Sequence, residues 1–100
     1  MKLLYETEEK VLGTREDVKE FLKENLTLVM KTTEDEELKE FYIAETNYLL
    51  EEIDGEYKNE EYIGLTYGSM TGFYVINMNL VKEWKEEEIW KGIKYGKIMV

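Results

Sequence analysis

The chain of 100 residues contains 23 acidic and 13 basic side chains, for a net charge of −10, and it lacks cysteine, histidine and proline. Its length fits one domain over residues 1–100, and its 43% apolar residues suffice for a core, which excludes an intrinsically disordered chain. The missing cysteine and histidine exclude disulfide frameworks, thiolate or imidazole metal sites and histidine-dependent catalysis.

The first twelve residues are apolar enough for a strand or a short hairpin but not for a leader sequence. In KLLYETEEKVL, residues 2–12, the apolar positions are few and acidic residues begin at Glu6. A secretory signal needs an apolar run of about 7–15 residues. No run in the chain reaches the roughly 18 residues of a membrane span. We therefore expect a soluble, cytoplasmic protein with no membrane partner.

A helix and a second strand are predicted next. Thr14 and Asp17 form a near capping box. The apolar side chains that follow recur at helical spacing, at Val18, Phe21, Leu22 and Leu26. This spacing predicts an amphipathic helix over residues 15–25. The apolar and β-branched segment LTLVMKT, residues 26–32, predicts a short strand.

The acidic segment that follows permits two interpretations. Thr33 and Glu36 form a capping box, Gly55 can stop a helix, and one helical face carries Leu38, Phe41, Tyr42, Leu49 and Ile53. These features predict a helix over residues 34–53. The alternative is a strand in FYIAET with a hairpin at the Asp-Gly dipeptide, and it is supported by Glu45, which falls within the apolar stripe.

The segment GLTYGSMTG, residues 64–72, has a glycine at every fourth position and holds Ser69, the only serine of the chain. Packed membrane helices with such spacing need about 20 apolar residues, and a phosphate-binding P-loop needs a lysine that this region lacks. The flanking residues are β-rich, so the segment predicts a hairpin that pairs residues 62–67 with residues 72–79, with Gly68 or Gly72 at positive φ. A ligand-binding loop with Ser69 at its tip is the alternative.

The C-terminal region predicts one more helix and a final strand. Asn79 can cap a helix over residues 80–91, with Val81, Trp84 and Ile89 turned inward. The last four residues, KIMV, predict a short strand. The whole pattern indicates an α+β fold, a small antiparallel sheet with two or three helices.

The excess charge is concentrated in residues 34–61. This segment carries twelve acidic residues against Lys39 and Lys58, so its net charge of −10 equals that of the entire chain. One interpretation is a solvated surface that keeps the protein soluble. Concentrated like charge opposes compaction, however, and it complements a basic surface such as a nucleic-acid-binding groove. Direct binding of nucleic acid is not expected, because no stripe of lysine and arginine with interleaved aromatics is present.

No residue pattern predicts catalysis. Ser69 has no histidine to activate it, and DGEYKNEE, residues 54–61, lacks the ligand order of a calcium-binding EF-hand. We therefore expect no enzymatic activity, no cofactor and no dedicated metal site. Tyrosines cluster in and after the acidic segment, and tyrosine is enriched at protein interfaces.

These features favour a small non-catalytic binding protein that blocks a basic, nucleic-acid-binding protein. In size and charge the chain is similar to acidic phage and mobile-element proteins that inhibit nucleases or CRISPR effectors as nucleic-acid mimics. The expected partner-binding residues are Glu36, Glu37, Glu40, Glu51, Glu52, Asp54, Glu56, Tyr57, Glu60 and Glu61. The alternatives are an immunity protein or antitoxin that neutralises a basic toxin, and a structural or oligomeric subunit whose acidic face only meets solvent.

Overall fold

A computed structural model of the chain describes residues 3–68 and 72–87, with side chains described as far as Trp84. The elements in chain order are β1 (Tyr5–Glu6), β2 (Lys10–Thr14), α1 (Arg15–Thr32), α2 (Glu36–Asp54), β3 (Tyr62–Gly68), β4 (Phe73–Ile76) and α3 (Met78–Glu87). Within these residues, three helices accompany one four-stranded antiparallel sheet, which confirms the predicted α+β class.

The strands lie in the order β1-β2-β3-β4, and the helical pair α1–α2 connects the two central strands. The N-terminal segment is the hairpin and not the single strand. Its turn is held by Thr7, whose hydroxyl accepts hydrogen bonds from the N–H groups of Glu9 and Lys10 at 3.2 and 2.9 Å. The second predicted hairpin is confirmed as well, although β4 is shorter than expected.

α1 begins as predicted but continues further. Thr14 is its N-cap, with Oγ1 accepting the N–H of Asp17 at 3.3 Å. The predicted strand at residues 26–32 is wrong, because the helix runs on to Thr32.

The continuation of α1 has a physical cause in its buried face. Leu22 is buried, and Leu26 and Val29 are half-buried at the helical spacing that follows it. The hydroxyl of Thr27 donates to the carbonyl of Lys23 at 3.0 Å, so this β-branched residue is accommodated within the helix. Packing of one continuous face therefore outweighs the local strand preference of the segment.

The helical interpretation of the acidic segment is confirmed by α2. Its N-cap is Asp35 and not the predicted Thr33, and its end at Gly55 is as predicted. Thr46, Leu49 and Ile53 are buried. The predicted inward face fails at the start of the helix, where Leu38 and Phe41 are exposed.

Buried side chains lie on both sides of the sheet. Val11 of β2 belongs to the main core beneath α1 and α2, with Val18, Leu22, Leu49, Ile53, Ile63 and Leu65. The next residue, Leu12, packs with Val81 of α3 in a second, smaller cluster. This alternation follows from the two-residue period of a strand. The sheet therefore separates the α1–α2 layer from α3.

Two of the three glycines at four-residue spacing are required by the structure, each for a different reason. A Cβ on Gly64 would lie 2.8 Å from the carbonyl oxygen of Asn77 and 3.1 Å from Leu80, so this glycine permits the close approach of α3 to β3. Gly72 has a φ of 75°, which confirms the predicted positive φ at the hairpin. Ser69 lies outside the described residues.

α3 begins two residues earlier than predicted. Asn77 and not Asn79 accepts the first N–H groups, through Oδ1, from Asn79 at 3.0 Å and Leu80 at 3.2 Å. Val81 is buried and Trp84 packs against the second cluster, both as predicted. Ile89 and the strand predicted for the last four residues lie outside the described residues.

Among residues 3–68 and 72–87, no helix combines the length and the hydropathy that crossing a bilayer requires.

Candidate interaction site

α2 and the turn after it divide the predicted partner-binding acids into two groups. The N-terminal acidic cluster consists of Glu36, Glu37 and Glu40, all exposed. The C-terminal acidic cluster consists of the half-buried Glu52 and of the exposed Glu51, Asp54, Glu56, Glu60 and Glu61. Glu40 and Glu51 are eleven positions apart, or about 16 Å along the helix axis. Because the Debye length is about 8 Å at physiological ionic strength, the two clusters act largely as separate charges.

The N-terminal acidic cluster stabilises the helix that carries it. Asp35 accepts the N–H groups of Glu37 and Leu38 at 2.9 and 3.2 Å. Glu36 and Glu37 lie in the first turn, next to the positive end of the helix dipole. Glu36 also pairs with Lys39 at 3.4 Å. The local fold therefore accounts for Glu36 and Glu37 without any partner.

The C-terminal acidic cluster lacks such an explanation. The last turn of α2 contains no basic residue. A carboxylate at the negative end of a helix dipole is disfavoured, typically by about 0.3–1 kcal/mol. Within the described part of the chain, Glu51, Glu52, Glu56 and Glu60 form no ion pair. Glu51 and Glu52, in the last turn, are therefore unfavourably placed with respect to the helix dipole.

Asp54 is the member of this cluster that has a cationic partner. Its Oδ1 accepts a hydrogen bond from Lys19 Nζ of α1 at 2.9 Å. That hydrogen bond holds the pKa of the Asp54 carboxyl below its ordinary value of 3.8. Asp54 therefore has a structural role in joining the two helices, which sets it apart from its neighbours.

The backbone after α2 forms a compact turn that carries the rest of the cluster. The N–H of Gly55 donates to the carbonyl of Glu51 at 2.8 Å, and the N–H of Tyr57 donates to the carbonyl of Glu52 at 3.1 Å. Tyr57, the one aromatic among the predicted partner-binding residues, is half-buried against the main core. Only part of its ring is available to a partner.

Between the two clusters, the exposed residues of α2 are uncharged, and the charged Glu45 is half-buried. Phe41, Ala44 and Tyr48 are exposed and follow each other at intervals of three and four residues, and we call them the uncharged ridge. Phe41 is 42% exposed and Tyr48 is 56% exposed. An aromatic centre with a charged rim is the usual composition of a protein interface. The sequence interpretation missed this ridge because it assigned Phe41 to the core, although the spacing of the three residues was the available signal.

Among residues 3–68 and 72–87, no group of three or more acidic side chains is placed to hold a metal ion.

Comparison with known proteins assigns no family to this arrangement, since no protein-family model matches the chain and searches of curated proteins and solved structures find no similar protein.

Proposed function

We propose that the protein is a non-catalytic inhibitor that covers the nucleic-acid-binding surface of a basic protein in the cytoplasm. The observation that carries this proposal is the C-terminal acidic cluster, where carboxylates gather at a helix end that disfavours them. Acids that served the fold would lie at the start of a helix or beside lysines, as Asp35 and Glu36 do. Solubility alone would be met equally well by dispersed acids. The concentration of charge therefore supports a role in binding.

The shape of the surface supports the same partner chemistry. A basic groove that binds nucleic acid presents lysines and arginines to phosphates and offers stacking contacts to bases. The two acidic clusters supply anionic groups towards both ends of α2. The rings of Phe41 and Tyr48 on the uncharged ridge supply apolar contact area between them. Long-range attraction then speeds the encounter, and the ridge supplies the contacts that hold the complex.

An inhibitor of this kind fits the small acidic proteins that phages and mobile elements direct against nucleases or CRISPR effectors. No catalytic step is required of it, because blocking a groove needs only occupancy. An antitoxin that neutralises a basic toxin would use the same chemistry, and the identity of the captured partner distinguishes the two.

The experiment that tests the proposal is affinity capture with the full chain, immobilised and exposed to lysate of the organism that encodes it at about 50 mM salt. Proteins are then eluted in salt steps and identified by mass spectrometry. We expect a basic nucleic-acid-binding protein that elutes as salt rises, because salt screens the attraction between its basic surface and the acidic clusters. Purified partner should bind labelled DNA or RNA, and the protein should compete with that binding.

A matched bait controls for net charge. The double variant Glu9→Lys and Glu83→Lys changes the charge as much as Glu56→Lys and Glu60→Lys, but its two exposed sites lie outside both clusters. Loss of the partner with the Glu56→Lys and Glu60→Lys bait, but not with the Glu9→Lys and Glu83→Lys bait, supports the proposal. Equal retention by both baits, elution that ignores salt, or no competition with nucleic acid would refute it.

A further inference from the structure

A cavity of about 200 Å³ lies between α1, α2 and the β3–β4 hairpin. Four of its lining residues are aromatic, namely Tyr42 of α2, Tyr67 of β3, and Phe73 and Tyr74 of β4. Ligand pockets for drug-sized molecules usually measure about 300–1,000 Å³. This cavity is therefore sized for one side chain or a small ion.

The four rings hold each other in place. Tyr42 and Phe73 pack with ring centroids 4.5 Å apart at 63°, and Tyr67 and Tyr74 pack at 5.6 Å and 74°. Such edge-to-face pairs contribute about 0.5–1.5 kcal/mol beyond their buried area. The aromatic lining is thus fixed before any ligand arrives, which lowers the entropy lost on binding.

The surroundings of the cavity are negative. Glu8 lines it, and an adjoining open groove of about 550 Å³ shares Glu8, Asn25 and Tyr74 with it and adds Glu6 and Glu24. Among the described residues that line either space, none is lysine or arginine. Burial and the nearby Glu6 carboxylate raise the pKa of Tyr74, so its hydroxyl keeps its proton and donates to the Glu8 carbonyl at 3.4 Å.

The cavity lies close to the uncharged ridge. Phe41 of the uncharged ridge has its ring centroid 4.7 Å from that of Phe73, which lines the cavity. A protein seated on the ridge is thus one aromatic ring away from the cavity.

We propose that this aromatic cavity receives an arginine side chain of the basic partner, an inference that rests on the proposed function and extends it. Aromatic rings attract cations within about 6 Å of their centroids, most often arginine. A guanidinium is planar and weakly hydrated, so it stacks on rings and can also pair with a carboxylate such as that of Glu8. An anionic occupant would be repelled by Glu6, Glu8 and Glu24, and a neutral one would gain less from them than a cation.

The test uses the full-length protein and two capped pentapeptides, Gly-Gly-Arg-Gly-Gly and the same peptide with citrulline, which keeps the shape of arginine without its charge. Titrations followed by aromatic-ring NMR signals report which rings the peptide contacts. We expect the arginine peptide to shift the signals of Tyr42, Tyr67, Phe73 and Tyr74, and the citrulline peptide to bind at least several-fold more weakly. Equal binding of the two peptides, or shifts confined to other rings, would overturn the proposal.

Matched variants locate the binding. Tyr67→Leu removes a ring that is 44% exposed, and Tyr48→Leu removes an exposed ring outside the cavity. Loss of one cation–π contact in Tyr67→Leu should weaken binding of the arginine peptide by roughly twofold to thirtyfold. Tyr48→Leu should not weaken it in this way. Glu8→Gln should also weaken binding of the arginine peptide. Glu9→Gln should not, because Glu9 is next to Glu8 in sequence but does not line the cavity. Circular dichroism confirms that each variant is folded. Equal effects within either pair would contradict the assignment.

A third probe separates the possible sources of the cation. This probe is tetramethylammonium. If it binds and the arginine peptide does not, the cavity takes a small ammonium ion and the proposal is wrong. Because these titrations contain no partner protein, their failure leaves the role of the acidic clusters standing. Failure of partner capture with intact arginine-peptide binding would instead refute the proposed function alone.

Discussion

Lys19 Nζ lies 2.9 Å from Asp54 Oδ1, and this contact joins the start of α1 to the last residue of α2. Lys19 is mostly covered, with 17% of its side chain exposed, whereas Asp54 is 57% exposed. The pair fixes the antiparallel arrangement of the two helices at one end. It also places a cation beside the negative end of the α2 dipole, where the sequence supplies none locally.

Replacing Asp54 with asparagine should lower the thermal midpoint by a small amount near neutral pH, since the pair is partly exposed. The hydrogen bond from Lys19 lowers the pKa of Asp54 below 3.8, so its contribution is present above that pH and is lost as pH falls through the lowered value. The pKa of Lys19 is raised above 10.5, mainly by the same hydrogen bond, so its contribution is present below that pH and is lost as pH rises through the raised value.

Thermal unfolding of both proteins between about pH 2 and pH 11 checks this expectation. The difference in midpoint should be constant between about pH 5 and pH 9 and should shrink at both extremes. Glu51→Gln is the control, because it removes a carboxylate from the same helix end where no described cation pairs with it, and it should leave stability equal or higher. A difference between wild type and Asp54→Asn that persisted undiminished at pH 2 would show that the ion pair is not its cause.

The β3–β4 hairpin depends on Gly72 more than on Gly68. Gly72 has a φ of 75°, where a β-branched side chain is strained, so Gly72→Val should destabilise the protein by about 1 kcal/mol or more. Gly68 ends a regular strand and should tolerate valine better. Thermal melts of the two variants give the comparison. A larger loss at Gly68 than at Gly72 would mean that strand packing, and not backbone conformation, limits this hairpin.

Asn77 is expected to determine the start of α3. Its Oδ1 accepts two backbone N–H groups, and its Nδ2 donates to Thr66 Oγ1 at 2.9 Å, which ties the helix to β3. Asn77→Ala should therefore destabilise the protein by about 0.5–2 kcal/mol, the usual effect of losing an N-cap. Asn79→Ala, at an exposed position within the helix, should change the free energy of unfolding by less than about 0.5 kcal/mol. Chemical denaturation measures both, and similar losses would contradict the assignment of the cap.

These two asparagines also show what the sequence could and could not specify. Asn77 and Asn79 have the same capping preference, as Thr33 and Asp35 nearly do, so local chemistry predicted a helix start but not its residue. The choice is made by tertiary packing, in which Leu80 must lie against Gly64 of β3. The existence of each of the three helices was therefore predictable, and so was the Thr14 cap of α1, but the N-caps of α2 and α3 were not.

The exposure of Leu38 and Phe41 is related to the different lengths of α2 and β4. α2 has 19 residues and is about 28 Å long, whereas the neighbouring β4 has four residues and spans about 13 Å. The helix is longer than this strand, so the strand cannot cover every turn of it, and Phe41 meets β4 through its ring contact with Phe73 at 4.7 Å between centroids. A helical period shows which residues share a face, but not how far the opposing surface reaches. The aromatic cavity was hidden for the same reason, because its rings meet only through strand register and helix placement.

The final prediction concerns the rate at which the protein meets its partner. Reversing Glu56 and Glu60 to lysine should lower the association rate by about tenfold at low salt, because long-range attraction raises such rates by about 10–10³. Both positions follow the helix, and cations near the negative end of the α2 dipole are favoured, so the change should not unfold the protein. The equal change in net charge at Glu9 and Glu83 should matter much less. Reversing Glu36, Glu37 and Glu40 should also slow association, but circular dichroism must accompany it, since these acids support the start of the helix.

Surface plasmon resonance against the captured partner, at salt concentrations from about 0.1 to 1 M, measures these rates as the Debye length falls from about 10 to 3 Å. The difference in association rate between the two double variants should decrease as salt rises, because salt screens the long-range part of the interaction. Dissociation rates should change little, since they depend on the short-range contacts of the uncharged ridge and the aromatic cavity. If the two double variants associate at the same rate at 0.1 M, or if the wild-type rate ignores salt, the acidic clusters meet only solvent and the inhibitor model is wrong.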